Sequence, residues 1–233
     1  MKVFAISDLH LSVNNAKPMD IFGPVWEGYL DKIFAEWNEK VGEDDLVLLS
    51  GDLSWAMKME EVESDIKLLA SLKGKKILIR GNHDYWWKSI SALRAILPVG
   101  FYAIQNDAIR FDGVVICGTR GWKGVEKNIN LSAEDQKIFD REVIRLELTL
   151  QSAQKLMQEG DKLICMMHYP PVSFAREDSE FSQLLEKYHV DKVVYGHLHG
   201  YKNVETHFYK NGIEYFLTSC DEVDNSLTLI CEI

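Results

Sequence analysis

Short apolar runs break abruptly into polar or glycine residues along most of this chain, and amphipathic stretches separate them. Residues 3–7, 46–50, 77–80, 163–167 and 193–195 are the clearest such runs. Continuous rather than alternating apolarity predicts strands buried on both faces, as in a parallel sheet covered by helices. Between the first two runs, Val25, Trp26, Tyr29, Leu30, Ile33, Phe34 and Trp37 recur at helical spacing. Further helices are predicted over 59–72, over 85–97 with Pro98 as the stop, over 131–158, and over 180–189. Ser132 with Asp135 three residues on forms a helix-opening pair, and Gly160 ends that long helix. From 101 to 118 the pattern becomes a strand pair, with Asp112-Gly113 as its tight turn. The tail is strand-like over 204–209, 213–219 and 227–233, with Asn211-Gly212 as a hairpin turn. This order predicts an α/β fold in which helices cover a mixed sheet system. No repeat or linker divides the chain, so one domain over 1–233 is expected.

Composition narrows the partners. A chain of 233 residues can bury a sizeable core, and 46% apolar with 27% charged residues is ordinary for a soluble globular protein. The formal net charge of -10 argues against a surface that grips long nucleic acid. It leaves room for a small phosphate ester, because bound cations supply positive charge locally. No apolar run has the length of a membrane span, and the short run before Asp8 is no signal peptide. Cys117, Cys165, Cys220 and Cys231 lie far apart with no Cys-x-x-Cys pair, as expected for buried free thiols in a cytoplasmic protein.

The chemistry sits where the apolar runs end. Asp8-Leu9-His10, Gly51-Asp52, Gly81-Asn82-His83-Asp84, His168, and Gly196-His197-Leu198-His199 gather five of the seven histidines, leaving only His189 and His207 outside. Residues two apart on a strand share a side, so Asp8 with His10, and His197 with His199, can each address one cation. Mixed carboxylate, amide and imidazole donors suit Mn, Fe, Co, Ni or Zn better than Ca or Mg. Two such cations about 4 Å apart, sharing a carboxylate, can activate a bridging water and clamp a phosphoryl group. Gly51, Gly81 and Gly196 are expected to let the backbone turn sharply there. The bland alternative, polar caps at strand ends, would suit one histidine pair better than it suits the whole ordered set.

The surroundings leave alternatives open. Trp55 and Trp122 fall in loops and are candidates for lining a substrate pocket, whereas Trp86 and Trp87 either stack on a substrate or pack beneath a helix. Arg120 either contacts a substrate phosphate or forms a surface salt bridge. The charged helix over 131–158 presents a solvated face, or one side of a lid or dimer contact.

From Asp8 to His199, the ordered set resembles the calcineurin-like metallophosphoesterases. The resemblance implies a four-layer αββα sandwich, with two mixed β-sheets flanked by helices, holding two divalent transition-metal ions (Mn, Fe or Zn). It implies that Asp8, His10, Asp52 and His199 hold the first ion, and that Asp52 bridges to a second held by Asn82, His168 and His197. His83 would be the non-ligand histidine that stabilises or protonates the leaving oxygen, with Asp84 orienting its imidazole. The implied activity is a phosphodiesterase or phosphatase for small, nucleotide-like phosphate esters, in which a metal-bridging hydroxide attacks phosphorus. Family protein phosphatases carry Asp-Arg-Gly where this chain has Ser54-Trp55-Ala56, and their later motif ends in Glu where this one has Asp84. Both departures argue against a protein phosphatase. The competing class is a non-catalytic scaffold of the same fold, against which the intact ligand set and His83 weigh.

Overall fold

Every predicted apolar run becomes a strand, and the strands share two mixed sheets. The structure, a computed structural model, describes residues 1–14, 17–126, 129–201 and 204–233. The strands are β1 (Lys2–Ile6), β2 (Leu46–Leu49), β3 (Lys75–Leu78), β4 (Phe101–Ala103), β5 (Ala108–Phe111), β6 (Val114–Thr119), β7 (Lys162–Met167), β8 (Lys192–Tyr195), β9 (His207–Lys210), β10 (Ile213–Leu217) and β11 (Thr228–Glu232). The helices are α1 (Tyr29–Lys40), α2 (Met59–Ala70), α3 (Ile90–Ile96), α4 (Ala133–Leu156) and α5 (Glu180–Lys187). One sheet has the order β11-β1-β2-β3-β4 and the other β5-β6-β7-β8-β10-β9. The central strands run parallel, and β11, β5 and β9 pair antiparallel at or next to the edges.

The unbroken apolarity of the central strands follows from three apolar layers. Phe4 and Ile6 of β1 face a core shared with Trp37 of α1 and Val62 of α2, while Val3 and Ala5 face the opposite sheet. In β7, Ile164 and Met166 meet that first sheet, whereas Leu163 and Cys165 pack with Leu146 and Leu150 of α4. Each central strand is therefore buried on both faces. The expected four-layer αββα sandwich is the observed one.

Local signals hold where a cap or turn specifies them. Ser132 Oγ accepts the Asp135 N–H and opens α4. Asn211 (φ 49°) and Gly212 (φ 90°) make a tight turn joining β9 to β10. Two expectations need correction. The helix over 85–97 forms only from Ile90, because Ser89 caps it, while the preceding residues sink Trp86 and Trp87 into the core, as the packing alternative required. The stretch 101–118 is three strands rather than a pair: β4 extends the first sheet beside β3, and only β5 and β6 form the hairpin around Asp112-Gly113.

Register sets where the site falls. Ile6 lies beside Leu49, Leu49 beside Leu78, Met167 beside Thr119, and Tyr195 beside Leu217, so the parallel strands end level. A Ser7–Ser219 bridge joins the two sheets at that edge, with the Ser7 N–H donating to Thr218 O at 2.7 Å. The polar fragments that follow these strands consequently emerge side by side.

Candidate metal centre

Asp8 and His10 do not continue β1. The strand ends at Ile6, and Asp8 (φ 59°), His10 (φ 47°), Asp52 (φ 50°) and His197 (φ 71°) all adopt left-handed backbone conformations. A straight strand would carry a residue about 6–7 Å away over two positions; the left-handed turns curl these side chains back towards one another. The same-side argument for Asp8 with His10 therefore rests on a strand geometry that the chain does not adopt there. Strained non-glycine backbone of this kind concentrates at functional sites, where the surrounding structure fixes it.

Glycines allow a close approach more than a sharp turn. Gly51 has φ 95°, but Gly81 and Gly196 lie outside the left-handed region. A Cβ on Gly81 would stand 2.1 Å from Asp52 Oδ1, and one on Gly196 would stand 2.3 Å from Asp8 Oδ2. Backbone after β3 thus presses against the carboxylate after β2 in the same sheet, and backbone after β8 in the second sheet presses against the carboxylate after β1 in the first.

Asp8 is fully buried. Its Oδ2 accepts from Ser7 Oγ at 2.5 Å, Ser219 Oγ at 3.0 Å and the His197 N–H at 3.1 Å, which leaves Oδ1 3.2 Å from His199 Nε2. Asp52 Oδ1 accepts the His83 N–H at 2.7 Å, while Oδ2 faces His168 Nε2 at 3.5 Å and His10 Nε2 at 4.0 Å. Asp8, His10 and His199 form one group able to hold a cation, and Asp8, Asp52 and His168 form a second. Asn82 Oδ1 stands 2.7 Å from His168 Nε2, and the His197 ring packs edge-on to His168 and against Tyr169.

The donor chemistry fits divalent metal. Burial lowers the His168 imidazole below its usual range, so the ring is neutral and carries one N–H. Nδ1 faces Ser50 O at 3.0 Å, which places the proton there. The Nε2 lone pair then points at the Asn82 carbonyl oxygen, two acceptors that a shared cation reconciles. Burial, then Asp8, pushes the Asp52 carboxyl up to about 8. Burial would lower His199, but its hydrogen bonds to Asp221 and Asp8 outweigh this and raise it to about 10. With no Lys or Arg in ion-pair range of either carboxyl group, among the described residues, protons on Asp52 and His199 balance the buried charge, and a divalent cation can take their place. Burial also lowers His10 and His197 to about 3, which leaves both imidazoles neutral donors.

Three sequence candidates stand elsewhere. Among the described residues, the hydrogen bonds to the Asp84 carboxylate come from groups other than the His83 imidazole. Asp84 Oδ1 accepts from Leu53 N at 2.9 Å, Ser54 N at 3.3 Å and Trp86 Nε1 at 3.0 Å, and Oδ2 from Asp52 N at 2.9 Å and Gly81 N at 2.7 Å. Burial, then Asp52, pushes it up to about 6, so at neutral pH it remains the acceptor these N–H groups require. Arg120 reaches Glu142 at 3.4 Å and covers the Trp122 ring at 4.5 Å. Trp122 donates Nε1 to Asp135 and packs on Tyr169, so neither lines the cleft beside His10. Trp55 does line it, stacked on His10 at 4.5 Å between ring centres and 4.8 Å from His83.

Sequence reasoning missed Asp221. It follows β10 as Asp8 follows β1, and accepts His199 Nδ1 at 2.7 Å and the Gly200 N–H at 3.0 Å. Holding Nδ1–H there turns Nε2 towards Asp8. The signal was available, since Ser219-Cys220-Asp221 ends an apolar run in the same way as the five fragments. Asp221→Ala should weaken metal binding about ten- to hundredfold, measured as the Mn concentration that gives half-maximal metal-induced stabilisation. An unchanged midpoint would remove Asp221 from the site.

Comparison with known proteins agrees with this geometry. Over 83 residues, 35% of this chain and 40% of its relative, the sequence is 34% identical to the gene 66 protein of Mycobacterium phage D29. The chain thus matches well under half the length of that curated relative. A crystal structure of a protein of unknown function from Aquifex aeolicus shares the fold, with a TM-score of 0.50 at 15% identity over 98% of this chain and 95% of that one. Residues 1–201 match the family model for calcineurin-like phosphoesterase. The chain belongs to the calcineurin-like phosphoesterases, a family of metal-dependent phosphoesterases.

Proposed function

We propose a dinuclear metal-dependent phosphoesterase that hydrolyses phosphate mono- or diesters of small, nucleotide-like molecules, acting as one domain over 1–233 in the cytoplasm. The observation that carries the substrate class is a cleft of about 350 Å³ beside the ligand set. Met19, Phe22, Val25, Trp26 and Trp55 line it, together with His10, His83 and His199. Small-molecule sites span roughly 300–1,000 Å³ and pair apolar walls with a few polar groups. The parallel Trp55–His10 stack offers a face that a nucleobase or aryl group can extend.

Asp8, His10, Asp52 and His199 would hold one ion, and Asp52, Asn82, His168 and His197 the other, with Asp52 Oδ2 already facing imidazoles of both sets. Bound divalent cations supply Lewis acidity towards a phosphoryl oxygen and lower the pKa of coordinated water. The chain's own groups position the rest. The His83 backbone is tied to Asp52 Oδ1, which holds its imidazole at the cleft to donate to the leaving oxygen. Lys17 stands 4.7 Å from the centre of the Trp55 ring and adds a cation where a phosphate ester would approach. The four thiols are buried and unpaired, in keeping with a reducing compartment.

With added Mn the protein should turn over bis-p-nitrophenyl phosphate or p-nitrophenyl phosphate. His83→Ala should lower kcat about a hundredfold with Mn content unchanged. No turnover of either ester, with no transition metal retained, would assign the chain to a scaffold role. Faster cleavage of a phosphopeptide than of either ester would favour a protein phosphatase.

A further inference from the structure

A second cavity opens at the same sheet edge, on the α4 side. It holds about 280 Å³, and five cationic side chains line it: Arg80, Lys88, Arg120, Arg141 and Arg145, against the single carboxylate of Glu142. In a chain whose formal net charge is -10, this concentration of positive charge in a recess needs a reason. Like charges gathered at a partly enclosed surface repel one another unless an anion lies between them.

Pairing inside the protein satisfies only part of the cluster. Glu142 is fully buried; its Oε1 meets Arg145 Nη1 at 2.6 Å and Arg120 Nη2 at 3.4 Å, while Oε2 accepts Thr119 Oγ1 at 3.0 Å. Arg80, Lys88 and Arg141 have no ion-pair partner among the described residues. The Nε atoms of both Arg80 and Arg120 are buried with no hydrogen-bond acceptor. An orphaned donor in a buried position costs its desolvation, and both belong to side chains that line the same recess. Burial lowers the Arg120 guanidinium, and Arg80 and Arg145 act in the same direction against Glu142. The fold also holds the cations in place: Arg80 follows β3, Arg120 follows β6, and Arg141 and Arg145 lie one turn apart on α4.

We propose that this cavity binds an oligophosphate group, an anion of at least two charges whose oxygens engage the arginine forks. Guanidinium geometry matches phosphate oxygens bidentately, which a lone lysine does not do. The recess adjoins the metal centre through the chain itself: Arg80 is two residues from Asn82, and the Arg120 carbonyl accepts the His168 N–H at 3.1 Å. Two sources share this chemistry, a distal phosphate of the substrate and a separate phosphate ligand. The inference stands without the phosphoesterase reading, because the binding needs no metal.

The test is calorimetric titration of inorganic pyrophosphate into the metal-free full chain, in chelator and at low ionic strength. One binding event is expected, weakened at least tenfold in both Arg80→Gln and Arg141→Gln, unaffected by Asp52→Asn, and weakened by added salt. Arg141 is exposed on α4, so its variant keeps the test intact should Arg80→Gln fail to fold. Absence of binding at millimolar pyrophosphate, or equal affinity in wild type and Arg141→Gln, would overturn the proposal. The source is then separated by kinetics of the Mn-loaded enzyme. If KM rises in Arg141→Gln for a pyrophosphate-containing ester but not for p-nitrophenyl phosphate, the cavity holds a substrate phosphate. If KM is unchanged for both while pyrophosphate binding is lost, it holds a separate ligand.

Discussion

Asp52→Asn should lower phosphoesterase turnover about a thousandfold while leaving the metal-free protein as stable as wild type. The carboxylate has two tasks on its two oxygens. Oδ1 accepts the His83 N–H, a bond an amide oxygen can keep, and Oδ2 faces the Nε2 atoms of His10 and His168. Asparagine removes the anionic donor shared by both imidazole sets and little else. Lewis-acid stabilisation of a phosphoryl transition state is worth several kcal/mol, and about 4 kcal/mol corresponds to three decades in rate. Stability separates this loss from misfolding. Burial, then Asp8, pushes the Asp52 carboxyl up to about 8, so the metal-free site near neutral pH already favours a neutral group there. Unfolding in chelator should therefore shift little or towards higher Tm. A ligand at a hundred times its Kd stabilises by about 2.7 kcal/mol, and the variant should lose most of the Tm gain that Mn gives wild type. Turnover within tenfold of wild type, with the Mn-induced Tm gain intact, would remove Asp52 from the centre.

The extent to which this site was legible follows from what each residue contacts. Double-sided burial writes itself as unbroken apolar runs, so β1, β2, β7 and β8 were visible, and the level register of parallel strands brought the fragments after them together. Ser132 announced α4 because capping is local. Contacts made across the fold left weaker traces. Asp221 meets His199 across 22 residues, and nothing in either segment alone pairs them. Trp26 recurred at helical spacing, yet lies in a short 3₁₀ turn before α1 and lines the cleft. The arginine cavity draws on the ends of β3 and β6 and on one face of α4, so Arg120 looked solitary in sequence. Backbone conformation was the least legible feature, because aspartate and histidine carry no general sign that φ will be positive.

Asp84→Ala should destabilise the metal-free protein by roughly 3–5 kcal/mol, a larger effect than a residue that only orients an imidazole can produce. Asp84 is fully buried and receives five N–H groups: the backbones of Asp52, Leu53 and Ser54, that of Gly81, and the Trp86 indole. It therefore latches the loop after β2 to the loop after β3, the two segments that carry Asp52 and Asn82. Each buried donor left without an acceptor costs about 1–3 kcal/mol, and water entering the space left by the side chain recovers part of the sum. Asparagine should rescue only partially. It keeps one acceptor oxygen but turns an NH₂ towards N–H groups that also donate, so either orientation creates an opposed pair. Urea unfolding in chelator measures this without any contribution from metal. His83→Ala, in the same assay, should stay within about 0.5 kcal/mol of wild type, as for a partly exposed side chain outside any buried network. If Asp84→Ala lost less than about 1 kcal/mol while its kcat fell as far as that of His83→Ala, Asp84 would be acting through the imidazole, and the latch would be the wrong account of it.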